Sequence, residues 1–580
     1  MKNGLARSIL HRKRTEMRTR SGRRTGVPRR ASSLVLGALM GLECILAAPR
    51  ASAVEPWSDP DPAGPPARLS LGSSTGFRGG VEYRANAISI RPLDLNGTRD
   101  RHFSIIEHRL RLDGAIDYED KVRVTTSVDV LDSVLWGDNG TLGTDPEPTA
   151  GAKVSTNNPN LSRACITLRP GDPSTESGSY HYGLCSAEPI AVRRLYGDVI
   201  TPIGLFRIGR QAFTEGASVA VNDGDGRKNR FGFARRGNSA DRILFATKPL
   251  EAFKAPSERD STETKGLFLI LAYDRLVTGD PMRFKDDLQN YITAVRWLEP
   301  RHRLGTDAEV RLFHAYRWSS TNDTTVNAFG GRAMATFGEV TAGVEATLVT
   351  GSTREISEAF RVISNDAAVA QDITQFGGRG VVRWDRPLFS AYLELDYASG
   401  DSDPQTRTPL TQFRFAEDTN VGLLMFKHVL AYQTARAAAA GVEVLRSLGA
   451  PSYPLDAIDT RGSFTNAFAI FPQFDYHPIP TVLLRGGVLM AWAPAKVIDP
   501  IYSLQHRDGI RIDDDLVNFA GGKPGRYYGT ELDGRVQWRF MDHFAADLEA
   551  AVLFPGSALE DANGDAARSV LVQGRGTFFF

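Results

Sequence analysis

Cysteine is scarce in this chain: there are three in 580 residues. Cys44 falls in an N-terminal segment read as removed on maturation, which leaves Cys165 and Cys185. A scaffold held by several disulfides or by a cysteine metal cluster is excluded. Long apolar runs are missing as well. No stretch after residue 53 approaches eighteen consecutive apolar residues, so a helical membrane span is excluded, and any crossing of a bilayer must be made by strands. Nor is there an excess of one charge, with 69 Lys and Arg against 68 Asp and Glu, so the electrostatic footprint of a nucleic-acid binder is absent. No nucleophile motif such as Gly-x-Ser-x-Gly stands on the end of an expected strand, and the histidines are scattered along the chain. With no nucleophile and base brought together by spacing, an enzyme is not expected.

What is present starts with a leader. Residues 1–30 carry eleven Lys or Arg against the single acid Glu16, a mostly apolar run follows from Ala31 to Ala48, and Ala51-Ser52-Ala53 supplies the small residues of a cleavage site. The expected division is a signal peptide over 1–53, a linker over 54–75 and one large unit over 76–580. Cleavage after Ala53 removes twelve basic and two acidic residues and leaves 57 against 66, a formal charge of −9.

The other end of the chain alternates. Phe580, Phe578, Val572 and Val570 share one face with Gly576 and Gly574, while Thr577, Arg575 and Gln573 occupy the other. A chain ending mid-strand leaves a raw edge unless the sheet closes on itself. Phe580 and Phe578 therefore read as an assembly signal at the closing strand of a barrel.

The same two-residue period recurs upstream. Tyr528, Thr530, Leu532, Val536, Trp538 and Phe540 are expected on an apolar face, with Glu531, Asp533, Arg535, Gln537 and Arg539 opposite. In the next strand Leu548 and Val552 alternate with Asp547 and Glu549. Leu110, Leu112, Ile116 and Tyr118 stand against Glu107, Arg109, Arg111, Asp113 and Asp117, and Val310 and Leu312 against Glu309 and Arg311. A polar face of mixed Glu, Asp and Arg, to which Glu394, Asp396 and Arg575 also belong, reads as the wall of a water-filled lumen. Aromatic residues beside short turns, among them Trp297, Trp384, Tyr476 and Trp538, read as a girdle. The fold class is all-β, a transmembrane antiparallel barrel of about eighteen strands, within sixteen to twenty. Long insertions near 134–190, 212–238, 352–372, 399–463, 494–524 and 555–567 are the expected extracellular loops, and the connections at the other end are expected to be short periplasmic turns. Within one insertion, Val421 to Leu448 has helical periodicity and is expected to narrow the channel or cover its mouth.

Three short motifs carry a resemblance. Gly204 to Gln211 reads Gly-Leu-Phe-Arg-Ile-Gly-Arg-Gln, Tyr397 to Asp401 reads Tyr-Ala-Ser-Gly-Asp, and Tyr528 to Asp533 reads Tyr-Gly-Thr-Glu-Leu-Asp. Together with the terminal Phe580 these resemble the alginate-export-like porin superfamily of Gram-negative outer-membrane barrels. The resemblance implies a monomeric single-chain pore. It does not imply alginate, because the polar faces mix both signs where a polyanion exporter is said to be strongly basic.

The expected function is passive diffusion of small hydrophilic solutes through a bacterial outer-membrane channel. Readings kept beside it are a dedicated exporter of an anionic polysaccharide, a structural or adhesive barrel and, more remotely, an outer-membrane hydrolase. Expected partners are outer-membrane lipid and lipopolysaccharide, the barrel-assembly machinery during insertion, and the solutes themselves. Cys165 and Cys185 lie in one polar stretch and are expected to pair in an oxidising compartment. No cofactor is expected. Asp223, Asp225, Asp561 and Asp565, bunched with glycine and asparagine, are candidate calcium ligands in loops, although Asp-Gly and Asn-Gly sequences also make ordinary tight turns.

Overall fold

The computed structural model describes most of residues 56–580. Residues 1–55 and parts of the longer connections, chiefly within 138–189, 221–228, 279–288, 448–457 and 507–515, lie outside the described residues.

Eighteen antiparallel strands form one closed sheet. They are β1 Thr75–Arg91, β2 Phe103–Tyr118, β3 Val122–Gly137, β4 Ile190–Thr201, β5 Gly204–Ala212, β6 Ser239–Thr247, β7 Gly266–Thr278, β8 Gln289–His302 and β9 Gly305–Ser319. The ring continues through β10 Thr324–Phe337, β11 Val340–Thr353, β12 Gln371–Asp385, β13 Phe389–Ala398, β14 Ala467–Ile479, β15 Val482–Trp492, β16 Tyr527–Phe540, β17 Phe544–Pro555 and β18 Ser569–Phe579. Each strand pairs with the next in sequence, and β18 returns to β1 from Glu82↔Phe579 to Arg91↔Val570. The terminal Phe580 completes the seam by exchanging both backbone hydrogen bonds with Val81, at 2.8 and 2.9 Å. Within the expected linker, a short strand Ala67–Ser70 pairs with the start of β1 and prolongs the edge beyond Phe580.

The alternation in sequence becomes an inside and an outside. Val570, Val572 and Phe578 of β18 are exposed while Gln573, Arg575 and Thr577 are buried. The outward row elsewhere includes Leu312 at 63% and Ile208 at 59% exposure, values that suit lipid rather than water. Trp297, Trp384, Tyr476 and Trp538 are all exposed on this outer face. The molecule is a transmembrane β-barrel, since closure satisfies every backbone group inside the hydrocarbon layer.

Long and short connections segregate to opposite ends, apart from the four-residue connection 320–323 at the loop-bearing end and one long segment at the other. The segment 248–265 lies at the short-turn end and carries a one-turn helix, Pro249–Ala252, and a 3-10 turn, Pro256–Glu258. Its length is accommodated by Arg259, which donates to the carbonyls of Pro202, Ala252 and Lys254 and folds the segment back on the neighbouring turn.

One sequence expectation fails in register. The alternation places Tyr528 on the outer face, but the residue is 3% exposed and points inward, its hydroxyl donating to the Asn466 carbonyl at 3.1 Å. The cause is a bulge between β15 and β16, where Ala491 faces Gly529 but Trp492 faces Tyr527. Gly529 supplies the φ of +131° that the bulge requires.

Candidate channel lumen

The inner wall is built from cross-strand ion pairs. Arg111 faces Asp129, Arg207 faces Asp198, Arg242 faces Asp274, Arg379 faces Asp396 and Arg485 faces Asp475, each directly opposite on the adjacent strand. Their Nε–Oδ1 distances are 2.6, 2.6, 2.6, 2.7 and 2.7 Å. Because facing residues on one side of a sheet stand within side-chain reach, placing Arg and Asp at matching positions is enough to form the pairs. Arg242 and Asp274 have fully buried side chains, a position in which losing one partner costs about 3–5 kcal/mol.

The remaining sequence candidates fall on this wall in different environments. Glu107 accepts from Asn86 at 3.1 Å, and Arg109 donates to Glu82 at 2.9 Å. Glu309 receives Arg296 at 2.8 Å and also Arg332, while Arg311 is buried nearby on the same strand. Glu394 joins the Arg379 pair at 3.1 Å. Asp547 is held between Arg535 at 2.7 Å and Arg575 at 3.1 Å, with Glu549 at 3.5 Å from Arg575. Asp533 is buried, and neither of its carboxylate oxygens has a hydrogen-bond partner among the described residues. Asp113 is exposed and Arg539 half-buried, both toward the short-turn end.

A wholly water-filled lumen does not describe this interior. Toward the loop-bearing end the inner wall turns apolar, with Ile88, Ile90, Phe103, Ile105, Leu489 and Leu571 all buried. Two loops fold inward onto it. The first joins β5 to β6, and Ala217 and Val219 donate their backbone N–H groups to Glu345 on β11 at 2.9 and 3.2 Å. Arg230 reaches Asp475 on β14 at 2.9 Å, nine strands round the ring from β5. Gly232 donates to Glu549 at 2.9 Å, and the Phe233 ring lies 3.6 Å from the Arg84 guanidinium. The loop therefore spans the barrel. Sequence reasoning placed 212–238 outside; the signal it passed over is Arg230-Phe231-Gly232-Phe233, a cation and two aromatics that a solvent-exposed loop has no use for.

The second inward loop joins β13 to β14 and contains the expected helix. A π turn, Met425–Leu430, continues as the α-helix Ala431–Ser447. Glu531 on β16 accepts the N–H groups of Leu423, Leu424 and Met425 at 2.6, 2.8 and 2.6 Å, so a lumen carboxylate caps the start of the helix. Phe426 packs edge-on against Phe464 and Tyr528. His428 is buried beside Lys427, and burial, with the neighbouring cation adding to it, pushes its imidazole down to about 3.

The chain folds as a closed transmembrane β-barrel. Its fold is similar to solved barrels of Pseudomonas aeruginosa: OccK2 (OpdF), at 9% identity over 87% of this chain and 97% of that one with a TM-score of 0.43, and OccK9 (OpdG), at 11% identity over 87% and 98% with a TM-score of 0.44. OccK8 (OprE) aligns at 9% identity over 87% and 98%, with a TM-score of 0.42. No family model matches the chain, and no curated protein matches it.

Cys165, Cys185, Asp223 and Asp225 lie outside the described residues. Asp561 folds as a turn whose carboxylate accepts the N–H groups of Asn563 and Asp565 at 2.8 and 3.0 Å, with Gly564 at a φ of +82°. Among the described residues no group of three or more His, Cys, Asp or Glu side chains is arranged to hold a metal ion. Phe578 packs against Tyr83 and Phe544, and Phe580 stacks on His543.

Proposed function

We propose that this protein is a narrow outer-membrane channel for passive diffusion of small hydrophilic solutes. The observation that carries the reading is a closed barrel whose inner wall alternates Arg and carboxylate in matched pairs and is crossed by two inward loops. Paired charges of both signs create local transverse fields without a net charge along the path, which suits polar solutes and gives weak selectivity by charge. The loop-bearing end faces the cell exterior, and the short turns and the terminal Phe580 face the periplasm. The protein acts alone as a monomer and holds calcium, if any, only in its outer loops.

Kinship with alginate-export-like barrels belongs to the same proposal, supported by Gly204 to Gln211, Tyr397 to Asp401, Tyr528 to Asp533 and Phe580. Export of an anionic polysaccharide draws less support, because most of the wall arginines that such a substrate needs are already paired with carboxylates. Liposome swelling with solutes of graded size tests the channel. Swelling that is fast for small uncharged and charged solutes alike, and that declines with size, is expected; swelling with none of them contradicts it. Uronate oligomers blocking an anion-selective current would move the assignment to export.

A further inference from the structure

At the loop-bearing end a cavity of about 140 Å³ lies between β12, the segment 410–414, the start of the inward helix and the segments 458–466 and 496–500. It is smaller than the roughly 300–1,000 Å³ typical of sites for drug-sized ligands. Two of its lining side chains have unmet polar atoms. Gln375 on β12 is 2% exposed and its Oε1 has no hydrogen-bond partner among the described residues; Ser463 is 1% exposed and its Oγ has none either. A buried amide oxygen and a buried hydroxyl left unmatched are each unfavourable by about 1–3 kcal/mol, so a ligand that satisfies both gains by doing so.

The surroundings restrict which ligand. Phe426, Phe519 and Tyr528 line the same cavity and offer apolar ring surface next to the two polar atoms. Of the charged residues lining it, Arg414 donates to the Asp459 carbonyl at 2.9 Å and Asp401 accepts from the Thr411 N–H at 3.3 Å, while Lys496 is exposed at the mouth. Gln375 Oε1 requires a donor, Ser463 Oγ takes either role, and neither calls for charge.

We propose that this cavity binds a neutral, hydroxyl-rich solute of monosaccharide size. Ligand hydroxyls donate to Gln375 Oε1 and exchange hydrogen bonds with Ser463 Oγ, and the C–H face of the ring lies on the aromatic side chains. Because Phe426 and Thr434 of the inward helix also line the cavity, an occupied site braces the helix that narrows the lumen. The proposal deepens the channel reading by naming a solute class, and it rests on that reading.

Saturation-transfer NMR on the full-length protein in detergent micelles, with glucose and xylose as probes, tests the site without requiring conduction. Saturable transfer is expected, with half-saturation raised at least fivefold in Gln375→Leu and in Ser463→Ala and unchanged in Arg539→Gln at the opposite end of the barrel. Ser463 lies in a loop, so its variant leaves the barrel strands intact, and heat-modifiable migration on gels verifies folding of each. Absence of saturable transfer from either sugar, unchanged half-saturation in both cavity variants, or displacement of the sugar by equimolar glycine or acetate would overturn the proposal. A protein that conducts but does not bind sugar loses only this inference; one that binds sugar but does not conduct loses only the channel.

Discussion

Asn420 donates its backbone N–H to the side-chain oxygen of Asn229 at 3.0 Å, across 191 residues of sequence. The Asn420 amide also donates to the Phe231 carbonyl at 3.0 Å. Through these bonds the two inward loops form one assembly rather than two separate obstructions. Glu531 anchors one side of it and Asp475 the other.

Loosening either anchor should therefore open the lumen. Glu531→Ala leaves three helix-start N–H groups without their acceptor, each unfavourable by about 1–3 kcal/mol if it stays buried. Asp475→Ala strips Arg230 and Arg485 of a shared carboxylate. Single-channel conductance should rise in each variant, and the double variant should gain less than the sum of the two, because the loops are joined. Unchanged conductance in both single variants would show that the path runs elsewhere.

How much of this was legible beforehand follows from periodicity. A strict two-residue period marks which residues face inward, so Glu107, Arg109, Glu309 and Arg575 could be placed from the sequence alone. Tyr528 could not, because one bulge at Gly529 inverts the local register and nothing but the partner strand reveals it. Glu531 was legible as a wall residue but not as a helix cap, since that role depends on a loop more than a hundred residues away in sequence. The inward position of Ala217, Val219 and Asn229 to Phe233 was hidden for the same reason: contacts made by a loop across a lumen leave no period to read.

Acid should loosen the inward helix. The buried His428 imidazole is held neutral, with its value lowered from the ordinary 6.5 to about 3. A lowered value means that stability is fully present above about pH 6.5 and is lost as pH falls from there toward 3. Conductance should rise as pH drops through 6 and 5, and His428→Gln should flatten that response. A pH response that survives the substitution would assign it to another group.

The outer loop at 493–526 should respond in the opposite sense. Burial pushes the Asp499 carboxyl up to about 6, even though it accepts the N–H groups of Ile501 and Tyr502 at 2.9 Å. Its protonated form is favoured in the fold, so its stability contribution is full below about pH 4 and is lost as pH rises through 6; an upper bound is about 3 kcal/mol. Proteolysis of this loop should be faster at pH 7.5 than at pH 5. Asp499→Asn keeps a capping oxygen without the charge, and the rates at the two pH values should then converge after correction for protease activity.

Removing Phe580 deletes the two backbone hydrogen bonds to Val81 that complete the seam and the aromatic terminus that suits recognition during insertion. The truncated protein should reach the outer membrane at a markedly reduced level. Equal insertion, judged by heat-modifiable migration, would remove the terminal residue from the account.

For Cys165 and Cys185, intact mass without reduction should show one disulfide. A crosslink closing a loop of about twenty residues contributes roughly 3 kcal/mol. Its loss should accelerate proteolysis of that loop while leaving barrel insertion unchanged. Two free thiols in protein purified under oxidising conditions would contradict the pairing.

The central claim is that the barrel conducts and that its inward loops set the size of the path. Planar-bilayer recording across a salt gradient, on the mature protein and on a variant lacking residues 399–463, addresses both at once. The account predicts small channels with a reversal potential near zero in the full protein and larger channels of similarly weak selectivity in the variant. Silence in both would mean that the interior is closed independently of the helix, and would leave the barrel a structural or adhesive one.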